Sequence, residues 1–239
     1  MDLFRLGLVV AVLGFGMGYS VRAGKLTTAA AATGGVLGLL IYLGGGFTGL
    51  GLLGLFFALG TAASGWRVAD KRHLGLAEEN KGRRTAGQVV ANAGVAGLLG
   101  LLAWRLPTAA PLAGLVLAGS FAAATADTLS SELGNLYGRR YYHILTLQPD
   151  TRGLNGVVSV EGTALGLAGT AVLAAAYCTG LGWGPAFWWL LVAGTAGNLL
   201  DSVLGATLER RGMLSNNAVN FLNTLTGALV AGGLGWWLG

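Results

Sequence analysis

Four stretches of a glycine- and leucine-rich chain carry carboxylates, amides and hydroxyls at helical spacing. Asp127 is followed by Ser130, Ser131 and Glu132, and Asn198 by Asp201 and Ser202; Gln88 precedes Asn92, and Asn216 and Asn217 lead to Asn220, Asn223 and Thr224. Residues three or four apart share a helix face, so each stretch draws a polar stripe on an otherwise apolar helix. Lys81-Gly82-Arg83-Arg84-Thr85 runs directly into Gln88, and a second loop, Asp150-Thr151-Arg152-Gly153-Leu154-Asn155-Gly156, ends at a helix N-terminus suited to anions. Carboxylates beside cations and amides, with no candidate cysteine nucleophile and no paired histidines, suit metal-assisted phosphate chemistry rather than acyl transfer. Magnesium takes one or two carboxylates plus substrate phosphates. A site of this kind facing nucleotides on one side and lipid on the other reads as a lipid kinase or a nucleotidyltransferase.

The elements that position these groups follow from composition. Of 239 residues, 54% are hydrophobic and 10% charged, against about 25% charged in a soluble domain, and the mean hydropathy is +0.65. These values exclude a water-facing globule, a disordered chain, collagen and a nucleic-acid module, so the formal charge of +5 speaks of orientation and not of a nucleic-acid partner. Apolar windows at 3–21, 26–43, 47–66, 86–104, 108–129, 156–178, 185–208 and 219–238 predict an all-α bundle of eight membrane-spanning helices in a single integral membrane domain, 1–239. If the polar 67–85 stretch is cytoplasmic, every Lys and Arg except Arg5 and Arg105 falls on that side, so both termini are expected outside. The 43 glycines recur in small-xxx-small pairs such as Gly14 with Gly18, Gly34 with Gly38 and Gly162 with Gly166, the device by which helices approach in lipid. The lone Cys178 excludes an internal disulfide. His73 and His143 read as solvated loop residues, and the glycine run 49–54 lacks the strand and helix context of a dinucleotide fingerprint.

Depth sharpens the choice of residues. The polar stripes all fall near the same ends of their helices, in one slab beside the basic loops. Asn and Gln in a span serve equally as interhelical hydrogen bonds, whereas Asp127 and Asp201 have no basic residue at their depth in the same helix. A loop cation or a bound metal must neutralise them. Glu132 and Glu161 lie nearer the interface, where Glu161 can simply complement a helix dipole.

Lys81–Asn92, Ser120–Gly134, Gly194–Thr207 and Asn216–Asn223 resemble, in order, the motifs of an integral membrane family that includes phytyl-phosphate kinase and transmembrane protein nineteen, itself similar to polyprenol kinases and CDP-diacylglycerol synthases. Where relatives often read Pro-Gly-Thr-Ser-Gly, this chain has Asp150–Gly156. The resemblance implies phosphorylation of an isoprenoid monophosphate, phytyl or geranylgeranyl, to its diphosphate from a nucleoside triphosphate such as CTP. The chemistry of the pocket fits that implication with magnesium on Asp127 and Asp201, and the loop charges set the site on the cytoplasmic face of a prokaryotic-type inner membrane. Catalytic roles then fall to Asp127, Asp201 and Lys81. Substrate contacts fall to Arg83, Arg84, Gln88, Asn92, Ser131, Glu132, Arg152, Asn198, Asn216, Asn220 and Asn223. The alternatives are a CTP-dependent cytidylyltransferase acting on a phospholipid or prenyl phosphate and, from another class, a transporter or membrane scaffold. Polar groups confined to one leaflet argue against a transport path, which would continue past the midplane.

Overall fold

A computed structural model describes residues 3–76, 82–106, 108 and 110–238. Its long helices are α1 (Leu3–Arg22), α2 (Thr28–Gly65), α4 (Ala86–Arg105), α5 (Ala110–Tyr137), α6 (Val160–Leu181), α7 (Ala186–Leu204) and α8 (Asn216–Leu238), with a short α3 (Val68–His73) after α2. A π-helical turn, Gly205–Glu209, extends α7. Between α5 and α6 the chain forms a two-stranded antiparallel ribbon, β1 (Tyr142–His143) and β2 (Val157–Val158), with Tyr142 opposite Val158.

Seven of these helices are long and apolar enough to cross a membrane, and one of them crosses twice. Drawn straight at about 1.5 Å per residue, α2 would far exceed a hydrocarbon core of roughly 30 Å. At Gly46 the backbone instead takes φ 59° and ψ −154°, a conformation open to glycine, and reverses. Phe57 then packs against Leu26, Ala30 and Ala31, and a Cβ on Gly38 would stand 3.3 Å from Leu53. The windows 26–43 and 47–66 are therefore the two antiparallel arms of a hairpin. Eight crossings put the N-terminal end of α1 and the C-terminal end of α8 on the same face, opposite the long loops. Trp183 and Trp188, before and in the first turn of α7, and Trp236 and Trp237, at the end of α8, lie toward that face and are exposed, as an interfacial aromatic belt requires.

Every span that starts on the loop face opens with a hydroxyl cap. Thr27 accepts from Ala30 N–H (3.1 Å), Thr85 from Gln88 N–H (3.4 Å), Ser159 from Gly162 N–H (3.1 Å) and Ser215 from Ala218 N–H (3.3 Å). These caps satisfy backbone donors that lipid could not.

At the centre stands α5, whose segment Ser120–Ala124 is wholly buried. Small residues bring its neighbours in. Gly119 meets the backbone of Gly227 on α8, and Gly134 meets Gly162 on α6. Gly162 and Gly166 face carbonyls of Ser130 and Ala126, as small-xxx-small packing predicts, but Gly14 and Gly18 on α1 have open space where a side chain would lie. The physical reason is position: α1 packs mainly on α2, so most of its small residues have no helix to admit.

Candidate active site

A cavity of about 410 Å³ opens at the loop end of the bundle. Five spans and the loop before α6 build it. From α4 come Gln88 and Asn92, from α5 Asp127, Ser130, Ser131 and Glu132, and from α7 Asn198, Asp201 and Ser202. Asn216 and Asn220 of α8, Arg84 just before α4, and Gly153–Ser159 complete the wall, with Phe56 of α2 beneath Arg84. Gln88, Ser159 and Asn216 each stand at or within a first helical turn, so three partially positive N-termini border the same space as the carboxylates of α5 and α7. Such a site offers backbone dipoles to anions and carboxylates to a cation.

The carboxyls of Asp127 and Asp201 lie within hydrogen-bonding reach of each other, and Asp201 Oδ2 is buried with no donor. An acceptor facing an acceptor is resolved by a proton shared between the two carboxyls or by a bound cation. Around this pair the amides are partly engaged. Asn92 donates to the Gln88 carbonyl (3.0 Å), Gln88 Oε1 accepts from Thr85 N–H (2.8 Å) in a capping box, and Asn220 donates to Asn216 Oδ1 (3.0 Å). Ser131 and Ser202 donate to carbonyls one turn back (3.2 and 3.1 Å).

Glu132 lines the cavity but is already claimed. Lys71 of α3, 2% exposed, binds its Oε2 and caps the end of α2 through the carbonyls of Ala63 (2.7 Å) and Ser64 (3.4 Å), while Ser64 Oγ donates to Glu132 Oε1 (2.9 Å). Here Glu132 is a strut that ties α5 to α2 and α3.

Ten of the expected residues thus meet in one space: Arg84, Gln88, Asn92, Asp127, Ser131, Glu132, Asn198, Asp201, Asn216 and Asn220. Three lie elsewhere. The Arg152 guanidinium donates to the Asn135 carbonyl and stacks 5.5 Å from the Tyr141 ring centroid, bracing the loop from below. Arg83 is not among the residues that line the cavity; its Nη2 donates to the Leu26 carbonyl at 3.5 Å. Asn223 is fully buried between helices and donates to the Ala123 carbonyl (3.5 Å). Lys81 lies outside the described residues.

Glu209 lines the cavity and was not expected there, because in sequence it reads as part of the interfacial run Glu209-Arg210-Arg211. The spacing Asp201, Gly205, Glu209 was the available signal, and the π turn carries that face one turn further than an α-helix ending at the interface would. The loop over the site is fastened to the same turn. Arg210 donates to Asp150 (2.8 Å) and to the Asn155 carbonyl (2.6 Å), and Gly156, at φ 73°, lies so close to Ala206 that no Cβ would fit. Arg210 and the Thr151 N–H hold the Asp150 carboxyl below its ordinary range, while burial pushes the Tyr141 phenol up, leaving it protonated to donate to the Gly134 carbonyl (3.1 Å).

The family model of "Integral membrane protein DUF92" matches residues 10–228. "Uncharacterized membrane protein sll0875" of Synechocystis sp. is 36% identical over 208 residues, covering 83% of this chain and 78% of that one. "Protein VTE6, chloroplastic" of Arabidopsis thaliana is 31% identical over 224 residues (91% and 67%), and "Uncharacterized membrane protein MJ0933" of Methanocaldococcus jannaschii is 32% identical over 211 residues (82% and 79%). No solved structure matches the chain significantly.

Proposed function

The chain belongs to the integral membrane protein family DUF92, and from that premise we propose that it is a membrane-embedded phosphotransferase converting an isoprenoid monophosphate to its diphosphate at the expense of a nucleoside triphosphate, CTP foremost. The observation that carries the reading is the facing pair Asp127 and Asp201, with a donorless buried oxygen, set in a polar cavity at one end of an apolar bundle. The family resemblance of the motifs that line this cavity supports the choice of acceptor.

The chemistry asks little of a general base. A phosphate monoester has a second pKa of about 6, so at neutral pH its oxygen is already anionic and can attack the γ-phosphorus. The new P–O bond forms as the bond to the β,γ-bridging oxygen breaks, and the nucleoside diphosphate leaves. What the protein must supply is alignment and neutralisation of crowded charge. Asp127 and Asp201 fit magnesium, which would offset charge on the phosphates. An ion on two carboxylates would draw its other ligands from substrate phosphates and water. Among the described residues Arg84 is the one cation lining the cavity, and it takes the acceptor phosphate. Asn92, Asn198, Asn216 and Asn220 orient the phosphate oxygens. The loop face, holding nearly all Lys and Arg, faces the cytoplasm.

The test is a matrix of nucleotides against prenyl monophosphates with purified protein, detergent and magnesium. Transfer of γ-label to lipid is expected. Transfer of α-label would identify a cytidylyltransferase instead, and no turnover with any prenyl monophosphate would overturn both.

A further inference from the structure

Beside the polar cavity lies a second, larger chamber of about 820 Å³, bounded by α1, the α2 hairpin and α4. Its walls are apolar: Leu13 and Gly16 of α1, Leu53, Gly54 and Phe57 of α2, and Val89 of α4. Phe56, Arg84, Gln88 and Asn92 line both spaces. The two chambers therefore share one wall, and its cation is Arg84. The guanidinium of Arg84 lies 5.8 Å from the ring centroid of Phe56 and 6.0 Å from that of Phe57. Its backbone is pinned by Arg84 N–H to the Lys25 carbonyl (2.9 Å) and Thr27 N–H to the Arg84 carbonyl (3.1 Å), which ties the start of α2 to the start of α4.

We infer that this chamber binds the hydrocarbon tail of the acceptor, a single-chain isoprenoid monophosphate whose phosphate sits at Arg84; the inference rests on the phosphotransferase reading above. An amphiphile with one anionic end needs an apolar space and a polar one joined at a cation, and this is the juncture at Arg84. The volume falls at the upper end of the roughly 300–1,000 Å³ usual for ligand sites, and the space is made by glycine: a Cβ at Gly16 or Gly54 would meet nothing within 4 Å. Its outer edge is open to the bilayer. Val12 of α1 lines the chamber yet is 51% exposed, so a tail enters sideways between α1 and the hairpin while its head slides along the loop face past Lys25, which also lines the chamber. Meeting the polar cavity at a single wall, the chamber suits one chain rather than the two of a diacyl phospholipid.

Two measurements on the full chain in nanodiscs test this. First, geranylgeranyl monophosphate bearing a terminal diazirine is photolysed in place. Label is expected on α1, α2 and α4 residues of the chamber, displaced by unlabelled geranylgeranyl monophosphate and not by phosphatidate. Label confined to α5–α8, label spread evenly over lipid-facing residues, or equal displacement by phosphatidate would overturn the inference. Second, Gly54→Phe and Gly16→Phe fill the chamber. Each should lower the ratio of kcat/KM for geranylgeranyl over dimethylallyl monophosphate by about tenfold or more. Gly14→Phe, on the opposite side of α1 where a Cβ also meets open space, should leave the ratio at its wild-type value. An unchanged ratio in both filled variants would overturn the tail site even with turnover intact. Absence of turnover altogether would instead sink the phosphotransferase reading, while the photolabel still reports on the tail.

Discussion

Helices α1 and α5 are both apolar enough to span a bilayer, yet in the most apolar window of α5 72% of residues are buried against protein, and in that of α1 11%. Hydropathy does not separate them, because lipid solvates Leu and Val as well as another helix does. Side-chain size and polar content do. Along α5 run Ala122, Ala123, Ala124, Thr125 and Ala126, which let α6, α7 and α8 close in, and the polar groups at its loop end are held by that packing. In α1, Leu3, Phe4, Leu8, Val12 and Phe15 look outward. The proposed transfer thus falls on the most constrained helix and the proposed tail site beside the least constrained one: transfer needs fixed geometry, and a tail needs a wall that can part.

This contrast can be broken at several points. The largest effect is expected from Asp201→Ala at the facing carboxylates. Turnover should fall by about 10²–10³-fold or more, while yield, insertion and thermal unfolding in detergent stay close to wild type; full activity would remove Asp201 from the mechanism.

Next comes Lys71→Met, which strands Glu132 in a site where the two side chains are 3% and 12% exposed. Leaving a buried charge unpaired costs about 3–5 kcal/mol, read as a lower midpoint of unfolding. Adding Glu132→Gln should recover much of that loss, which would show that the penalty belongs to the charge and not to lost packing.

Gly227→Leu and Gly14→Leu compare the two helical environments directly. At Gly227 a side chain would run into the Gly119 carbonyl and Ala123, an overpacking cost of about 1–3 kcal/mol. At Gly14 it meets nothing within 4 Å, so the midpoint should hold or rise slightly. Equal losses at both positions would mean that α1 is packed as tightly as α5.

The smallest effect is Asp150→Asn at the loop clamp. Because Arg210 lowers the Asp150 pKa in the folded protein, the clamp adds stability above the unfolded value near 3.8 and loses it as pH falls through the lower folded value. Melting curves of wild type and Asp150→Asn should differ modestly at neutral pH and converge in strong acid.

Much of this was legible in the chain. Eight windows, including the two that share α2, and the gathering of Asp127, Asp201, Asn198 and Asn216 at one end follow from hydropathy and helical phase, which are properties of neighbours in sequence. The π-turn carboxylate Glu209, the diversion of Arg152 and Arg83 to backbone carbonyls, and the burial of Asn223 between α5 and α8 were not. The cations and the amide depend on which distant backbone atom arrives beside a side chain, and long cations donate to any carbonyl within reach.

Composition and spacing alone made this a membrane-spanning bundle with its polar chemistry gathered at one end. Tertiary structure alone decided that Lys71, a loop cation in sequence, became the buried partner of Glu132, and that an apolar chamber meets the polar one at Arg84. Helical phase is written locally, residue by residue. Pairing and cavities belong to segments distant in sequence, such as Lys71 and Glu132 (61 apart), which only packing brings together.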